Sequence, residues 1–346
     1  MIVKKEIELG GRLFSIETGR YAKQANGSVM VRYGDTMVLV TAVASSEAKE
    51  GLDYFPLQVE YREKTSAAGK FPGGYIKREG RPTEKEILSS RLCDRPIRPL
   101  FSENFNNETQ VIAIVLSYDG ENDPDVLAAC GASAALVISD IPFDGPMGEV
   151  RVGRISGELI VNPTQEQLKL SDIELVVAGT ADSIMMVEGE SKEVSEEELL
   201  DALKFAQTEI KKIVELQNQL RTEAGKTKWA VQEKTIDENL KKDVYDLAKA
   251  KFKEIVYSIL AKEERSAKNK ELSEFVKQSL AEKYPEQEKV IGEILHDMEK
   301  DLMRERILKE GIRLDGRNTK QVRPITIELG NLPRTHGSAL FTRGET

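Results

Sequence analysis

The chain is poor in the residues that staple or metallate small proteins. Its 346 residues include two cysteines, two histidines and one tryptophan. Cys93 and Cys130 stand in apolar or helical surroundings without metal-ligand spacing, which argues against a disulfide scaffold and a zinc ribbon and fits the cytoplasm. His296 falls in a charged helical stretch and His336 in a turn, and neither has the partners of a catalytic triad. No apolar run approaches the roughly 18 residues that mark a bilayer span. The opening Met1-Ile-Val-Lys-Lys-Glu-Ile-Glu alternates like a first strand, so neither a membrane segment nor a signal peptide is expected. What the chain does have is apolar content of 40%, enough for real cores in two or three domains.

A general excess of basic charge is also missing, the net charge being −9. Against that background residues 71–101 are a positive island. They read Phe71-Pro-Gly-Gly-Tyr75-Ile-Lys77-Arg78-Glu-Gly-Arg81-Pro and then, after a short gap, Arg91-Leu-Cys-Asp-Arg95-Pro-Ile-Arg98-Pro-Leu-Phe101, with seven basic and four acidic residues. A local cationic stretch on an acidic protein points to an anion-binding surface. The Gly-Gly loop places an aromatic beside two cations, the pairing that stacks bases while neutralising phosphates.

From residue 1 to about 190, short apolar strands alternate with turns: 12–17, 28–33, 36–44, 54–61, 110–118, 149–155, 158–161, 173–179 and 184–188. Tyr33-Gly34-Asp35-Thr36 reads as a hairpin turn with Gly34 free to take positive φ. One helix is expected from the capping box Thr83-Glu-Lys-Glu86, with Pro96 stopping it. Another starts at Asp123, with Pro124 at the first helical position, and carries small residues suited to close packing on a sheet.

Near residue 195 the texture changes. Ser195-Glu-Glu-Glu198 is a further capping box, and Leu199, Leu203, Ala206, Ile210, Ile213 and Val214 trace an amphipathic helix to about Ala224. Residues 226–310 contain one glycine and one proline, and their apolar residues recur at helical spacing in two or more further helices. Charges there nearly balance, so this stretch reads as a solvated helical domain and lacks the basic excess of a nucleic-acid surface. Strand texture returns after Gly311 with a repeat. Gly337-Ser-Ala-Leu-Phe-Thr-Arg-Gly-Glu-Thr346 matches Gly27-Ser-Val-Met-Val-Arg-Tyr-Gly-Asp-Thr36 in its glycines, serine, acid and final threonine, which predicts a duplicated domain around a helical insert.

These blocks, with Gly131-Ala-Ser-Ala-Ala-Leu, Asn162-Pro-Thr, Val177-Ala-Gly, Asp315-Gly-Arg317 and Leu332-Pro-Arg-Thr-His-Gly, resemble polynucleotide phosphorylase, a family of phosphate-dependent 3′→5′ exoribonucleases. The resemblance implies an α+β fold: an RNase PH-like domain (ribosomal protein S5 domain 2-like) over 1–225, an all-helical linker domain over 226–310, and the truncated start of a second RNase PH-like domain over 311–346. It implies release of nucleoside diphosphates from single-stranded RNA in mRNA degradation, reversible polymerisation, Mg²⁺ with inorganic phosphate as co-substrate, a homotrimeric ring, RNA-degradation complex partners and a cytoplasmic location. The catalytic and metal-binding residues are expected beyond Thr346, which leaves this chain as the RNA-guiding half or, alternatively, as an inactive RNA-binding and assembly module.

Carried over residue by residue, the resemblance places Tyr75, Lys77 and Arg78 in the family's channel-entrance loop. Ile76 stands where a second aromatic is usual and Lys77 where arginine is usual, so stacking and bidentate phosphate contact are weaker there. Arg81, Arg91, Arg95 and Arg98 are RNA-binding candidates that serve equally well as structural ion-pair members. At the place of the second copy's phosphate cradle this copy reads Asp123-Pro-Asp125, which repels an anion, and Asp123 is expected to act as an N-cap. Glu166, Asp172 and Glu174 mimic a metal cluster but are expected to be exposed helix and strand-edge carboxylates.

Overall fold

The computed structural model describes residues 1–48, 54–231 and 236–346. It divides into two units, Met1–Glu233 and Lys234–Thr346.

The first unit is built from two sheets and a buried helix. One sheet contains β1 (Val3–Leu9), β2 (Arg12–Thr18), β3 (Gly27–Tyr33), β4 (Thr36–Ala48), β5 (Leu57–Glu63) and β6 (Asn107–Ser117) in the order β1-β2-β3-β4-β6-β5. All neighbours are antiparallel except β5 and β6, whose parallel pairing requires a crossover, supplied by α1 (Glu84–Ile97). The alternation of buried and half-exposed residues along β4 and β6 turns Val38, Val40, Ala42, Val111, Ala113 and Val115 to one face. Against that sheet packs α2 (Pro124–Ile138), apolar on all sides and buried at every residue. Gly131 makes the approach possible, since a Cβ there would meet Val31 Cγ2 at 2.9 Å and run into Val40.

The second sheet contains β7 (Gly148–Ile155), β8 (Glu158–Val161), β9 (Ile173–Gly179) and β10 (Ile184–Ser191), in the order β10-β9-β7-β8 and antiparallel throughout. A short helix, α3 (Gln165–Leu170), lies between β8 and β9 behind a Thr164/Gln167 capping box. The long α4 (Glu196–Ala224) starts from the expected Ser195/Glu198 box and buries Ala206, Ile210, Ile213 and Leu220 in the same core. Residues 226–231 continue along this unit. Lys226 N–H donates to Ile138 O (3.0 Å), Trp229 N–H donates to Asp140 O (2.8 Å), and Trp229 and Val231 pack on the core.

Two local expectations are corrected. Pro96 does not stop α1 but sits in its last turn, and the chain passes at Ile97 into a 3-10 turn, Arg98–Leu100. In that last turn the helix gives up the backbone hydrogen bond that Pro96 cannot donate. Asp123 does occupy the N-cap position of α2, but its side chain makes no capping bond; its partners are described below.

The second unit packs α5 (Glu238–Tyr257), α6 (Lys262–Leu280) and α7 (Glu288–Glu310) around Leu240, Val244, Phe252, Val276, Leu295 and Met298. Gly311, at φ +68°, ends α7 in the left-handed conformation that glycine adopts without strain. Beyond it β11 (Ile325–Leu329) and β12 (Ala339–Arg343) form a hairpin with every residue exposed except half-buried Thr342. The sequence repeat has a geometric counterpart. β12 ends at Gly344 with φ +67° as β3 ends at Gly34 with φ +59°, and each strand pairs antiparallel with the strand before it.

Candidate nucleic-acid interface

The basic loop leaves β5 through a 3-10 turn, Thr65–Ala68, and re-enters regular structure at the Thr83/Glu86 capping box of α1. Its second half is pinned. Glu79 accepts from Thr65 N–H at 3.0 Å and from Thr65 Oγ1 at 2.7 Å, hydrogen bonds that hold its carboxyl below the usual range. Arg62 donates to Gly80 O at 3.0 Å. Buried Glu86 accepts from the backbone of Glu63 at 2.9 Å and of Thr83 at 2.7 Å.

The tip stands in solvent. Phe71 is 90% exposed, Tyr75 101% and Ile76 74%. Gly74 and Lys77 take positive φ, +74° and +54°, and the latter is uncommon for a residue with a Cβ. Arg78, Arg81 and Arg91 are exposed as well, and among the described residues Lys77, Arg78, Arg81 and Arg91 have no hydrogen-bond or ion-pair partner. Desolvation costs such groups little until a ligand arrives, and an anion finds them unpaired.

Arg95 and Arg98 are placed differently. Arg95 pairs with Glu188 of β10 and approaches Met186 Sδ at 3.5 Å. Arg98 holds Asp94 through two nitrogens (2.7 and 3.1 Å), donates to Phe55 O (3.2 Å) and Leu57 O (3.0 Å), and lies 6.0 Å from the Phe55 ring centroid. It thereby fastens the start of β5 to the end of α1. The geometry thus holds Tyr75, Lys77, Arg78 and Arg81 on one loop, leaves Arg91 exposed on α1, and gives Arg95 and Arg98 internal partners.

At the start of α2 the arrangement is the reverse. Buried Arg151 on β7 lies 2.5 Å from Asp125 and 3.5 Å from Asp123, and also pairs with Glu174 on β9. Asp123 takes a bond from Gln165 Nε2 at 2.9 Å, and its other oxygen faces Lys85 Nζ at 3.8 Å. These partners draw its carboxylate away from the capping position. Burial pushes the Asp125 carboxyl up against the opposing pull of Arg151. Glu149, two residues before Arg151 on β7, is fully buried and neither of its oxygens has a hydrogen-bond partner among the described residues; burial and the Asp125 charge push its pKa well above the carboxylate range.

A divalent cation does not fit this donor set, because Arg151 and Lys85 already occupy the positive side of Asp123 and Asp125 and a further double charge would be repelled. Glu166 pairs with Lys169 at 2.6 Å and Asp172 with Arg154 at 2.7 Å. No group of three or more metal-ligating side chains is assembled among the described residues. Arg151 was not singled out from the sequence, where it is one arginine between valines in a strand; only the pairing of β7 with β9 reveals it as the partner of three acids.

The model of the 3′ exoribonuclease family, domain 1, matches residues 10–142, and domain 2 of the same family matches 145–209. Residues 239–318 match the RNA binding domain of polyribonucleotide nucleotidyltransferase. The polyribonucleotide nucleotidyltransferase of Geobacter sulfurreducens is 52% identical over 343 residues, covering 99% of this chain and 49% of that protein. The chain belongs to the polyribonucleotide nucleotidyltransferase family. Its counterpart in Geotalea uraniireducens is also 52% identical, over 346 residues, with 100% of this chain and 50% of that protein covered. The polyribonucleotide nucleotidyltransferase of Prosthecochloris aestuarii is 49% identical over 365 residues. The chain thus spans about half the length of these relatives. A solved structure of rice Rrp46 covers 64% of the chain at a TM-score of 0.49 and 15% identity.

Within the polyribonucleotide nucleotidyltransferase frame, both exoribonuclease matches lie in the first unit and the RNA binding match lies in the second. Among the described residues no helix is long and apolar enough to cross a membrane.

Proposed function

We propose that this chain supplies the RNA-guiding, non-catalytic half of a phosphate-dependent 3′→5′ exoribonuclease. The observation that carries the proposal is the contrast between two basic sites. Lys77, Arg78 and Arg81 are exposed on a pinned loop and unpaired among the described residues, whereas Arg151 is buried among carboxylates where an anion would have to bind. Single-stranded RNA is the substrate class, with phosphates at the cations and bases free to stack on Tyr75.

In the reaction, an oxygen of inorganic phosphate attacks the 3′-terminal phosphorus and the bond to the preceding 3′ oxygen breaks, releasing a nucleoside diphosphate; the reverse reaction extends RNA. Such chemistry depends on positioning and charge neutralisation more than on a protein nucleophile. Mg²⁺ and the attacking phosphate are assigned to other parts of the enzyme, because the acids around Arg151 fit neither. A cytoplasmic homotrimer that presents three loops to one strand, acting in mRNA degradation with partners of an RNA-degradation complex, is consistent with this reading.

A second reading, RNA contact by the helical unit, is favoured by the family description of residues 239–318. Its nearly balanced charge argues for a smaller electrostatic share. The enzymatic side is tested by incubating the chain with poly(A), phosphate and Mg²⁺: no phosphate-dependent ADP release is expected, and robust release by a preparation free of host enzyme would contradict the non-catalytic assignment.

A further inference from the structure

A pocket of about 280 Å³ opens between the 3-10 turn Thr65–Ala68, the start of α1 and the end of β6. Val115, Ala67 and buried Pro124 give it an apolar lining, Tyr118 adds an aromatic wall, and Lys64, Lys85 and the acid Glu63 complete it. The walls are tied to each other, since Tyr118 N–H donates to Ala67 O at 3.0 Å. Its volume lies just under the roughly 300–1,000 Å³ of pockets for drug-sized ligands, which suits a single base better than two.

Its charge is asymmetric. Lys85 is shared between Glu63 at 2.9 Å and Asp123 at 3.8 Å, while the side chain of Lys64 has no ion-pair or hydrogen-bond partner among the described residues, its carbonyl accepting from Ala67 N–H at 2.8 Å. An apolar slot with an aromatic wall and one free cation beside it matches a nucleobase that carries a phosphate. The pocket is also joined to the basic loop. Thr65, part of its lining, donates both its backbone N–H and its hydroxyl to Glu79, two residues before Arg81.

We infer that this pocket binds one nucleoside phosphate, the base against Val115, Ala67 and Tyr118 and the phosphate at Lys64. The part of the inference that links it to RNA rests on the RNA-guiding role of the loop: a nucleotide of the guided strand, or a free nucleoside diphosphate, fills the slot and steadies the turn to which Glu79 is tied.

The test uses the full chain and lysine acetylation read by mass spectrometry, with ADP, ribose 5-phosphate, inorganic phosphate or a short oligoadenylate as probe and Lys241 as reference. ADP should slow acetylation of Lys64 by about threefold or more while ribose 5-phosphate and inorganic phosphate do not. By calorimetry Lys64→Ala should weaken ADP binding about tenfold and Ala67→Trp, which fills the slot, should abolish it. Lys64 is half-buried, and Lys64→Ala keeps the test valid if Ala67→Trp does not fold. Protection by oligoadenylate but not ADP would support the pocket with the strand as its source. Protection by neither, or by inorganic phosphate as well as by ADP, would overturn the inference. The Lys77→Ala/Arg78→Ala variant separates the two readings: ADP binding should persist there while oligoadenylate binding falls. If oligoadenylate binding is unchanged the loop's role fails, and the ADP result still judges the pocket.

Discussion

The guanidinium of Arg151 lies 2.5 Å from the carboxylate of Asp125, with both side chains buried beneath the first turn of α2. A helix N-terminus ordinarily favours an external anion. Here the chain supplies its own, and the cation that would hold a phosphate is already neutralised by Asp125, Asp123 and Glu174.

Removing Arg151 alone should therefore be costly, because its acids lose their shared partner. Arg151→Met leaves buried carboxylates facing one another and should lower stability by about 3–5 kcal/mol. Arg151→Met combined with Asp125→Leu should lose less than the sum of the single variants, as read by a double-mutant cycle in urea. Strict additivity would show that the ion pair does not couple them.

Glu149 should make stability depend on pH. Its folded-state pKa lies well above that of the unfolded chain, so its neutral form is compatible with burial below the unfolded value near 4.5 and its contribution falls as pH rises beyond that. Glu149→Gln should accordingly raise the unfolding midpoint at pH 7.5 by the equivalent of about 1–3 kcal/mol. The gain should vanish below pH 4.5. A gain of equal size at pH 4 and pH 7.5 would place its origin in packing and not in charge.

Gly131 tests how closely α2 approaches the first sheet. Gly131→Ala places a methyl against Val31 and Val40, and the overpacking should cost about 1–3 kcal/mol despite the better helix propensity of alanine. A more stable variant would show that the sheet yields to the extra carbon.

The β11–β12 hairpin should be the weakest part of the second unit, since two strands alone are marginal in water. Residues 312–318 are better held, with an Ile312–Asn318 bridge and Leu314 packed on the helical core. Trypsin is expected to cut first at Lys320, Arg323 or Arg334, with α7 resisting. Resistance through Arg343 would mean that the exposed face of Ile325, Ile327 and Phe341 is covered in solution.

Much of this architecture was legible from local chemistry. The Thr83/Glu86 and Ser195/Glu198 boxes, Pro124 at the first turn of α2 and the Tyr33–Thr36 turn are each fixed by residues within four positions of one another, and the structure places them as expected. Pro96 was misread, and Asp123 holds the expected N-cap position without a capping bond, because the deciding groups, the following 3-10 turn and the side chains of Arg151, Gln165 and Lys85, act after the local signal or across the fold. The loop cations were visible as a charge excess. That Arg98 fastens Phe55 and Leu57 while Arg81 stays free depends on tertiary neighbours that spacing does not encode.

The central claim is that the loop at Lys77 and Arg78 contacts RNA, and the most direct measurement is a titration of a fluorescent oligoribonucleotide at two salt concentrations. Affinity should fall with a log–log slope of roughly −0.7 per phosphate contacted. Lys77→Ala/Arg78→Ala should lose most of the binding and much of that slope, while Lys241→Ala/Lys242→Ala on α5 loses little of either. Equal losses in the two variants would contradict the account and move the RNA path to the helical unit.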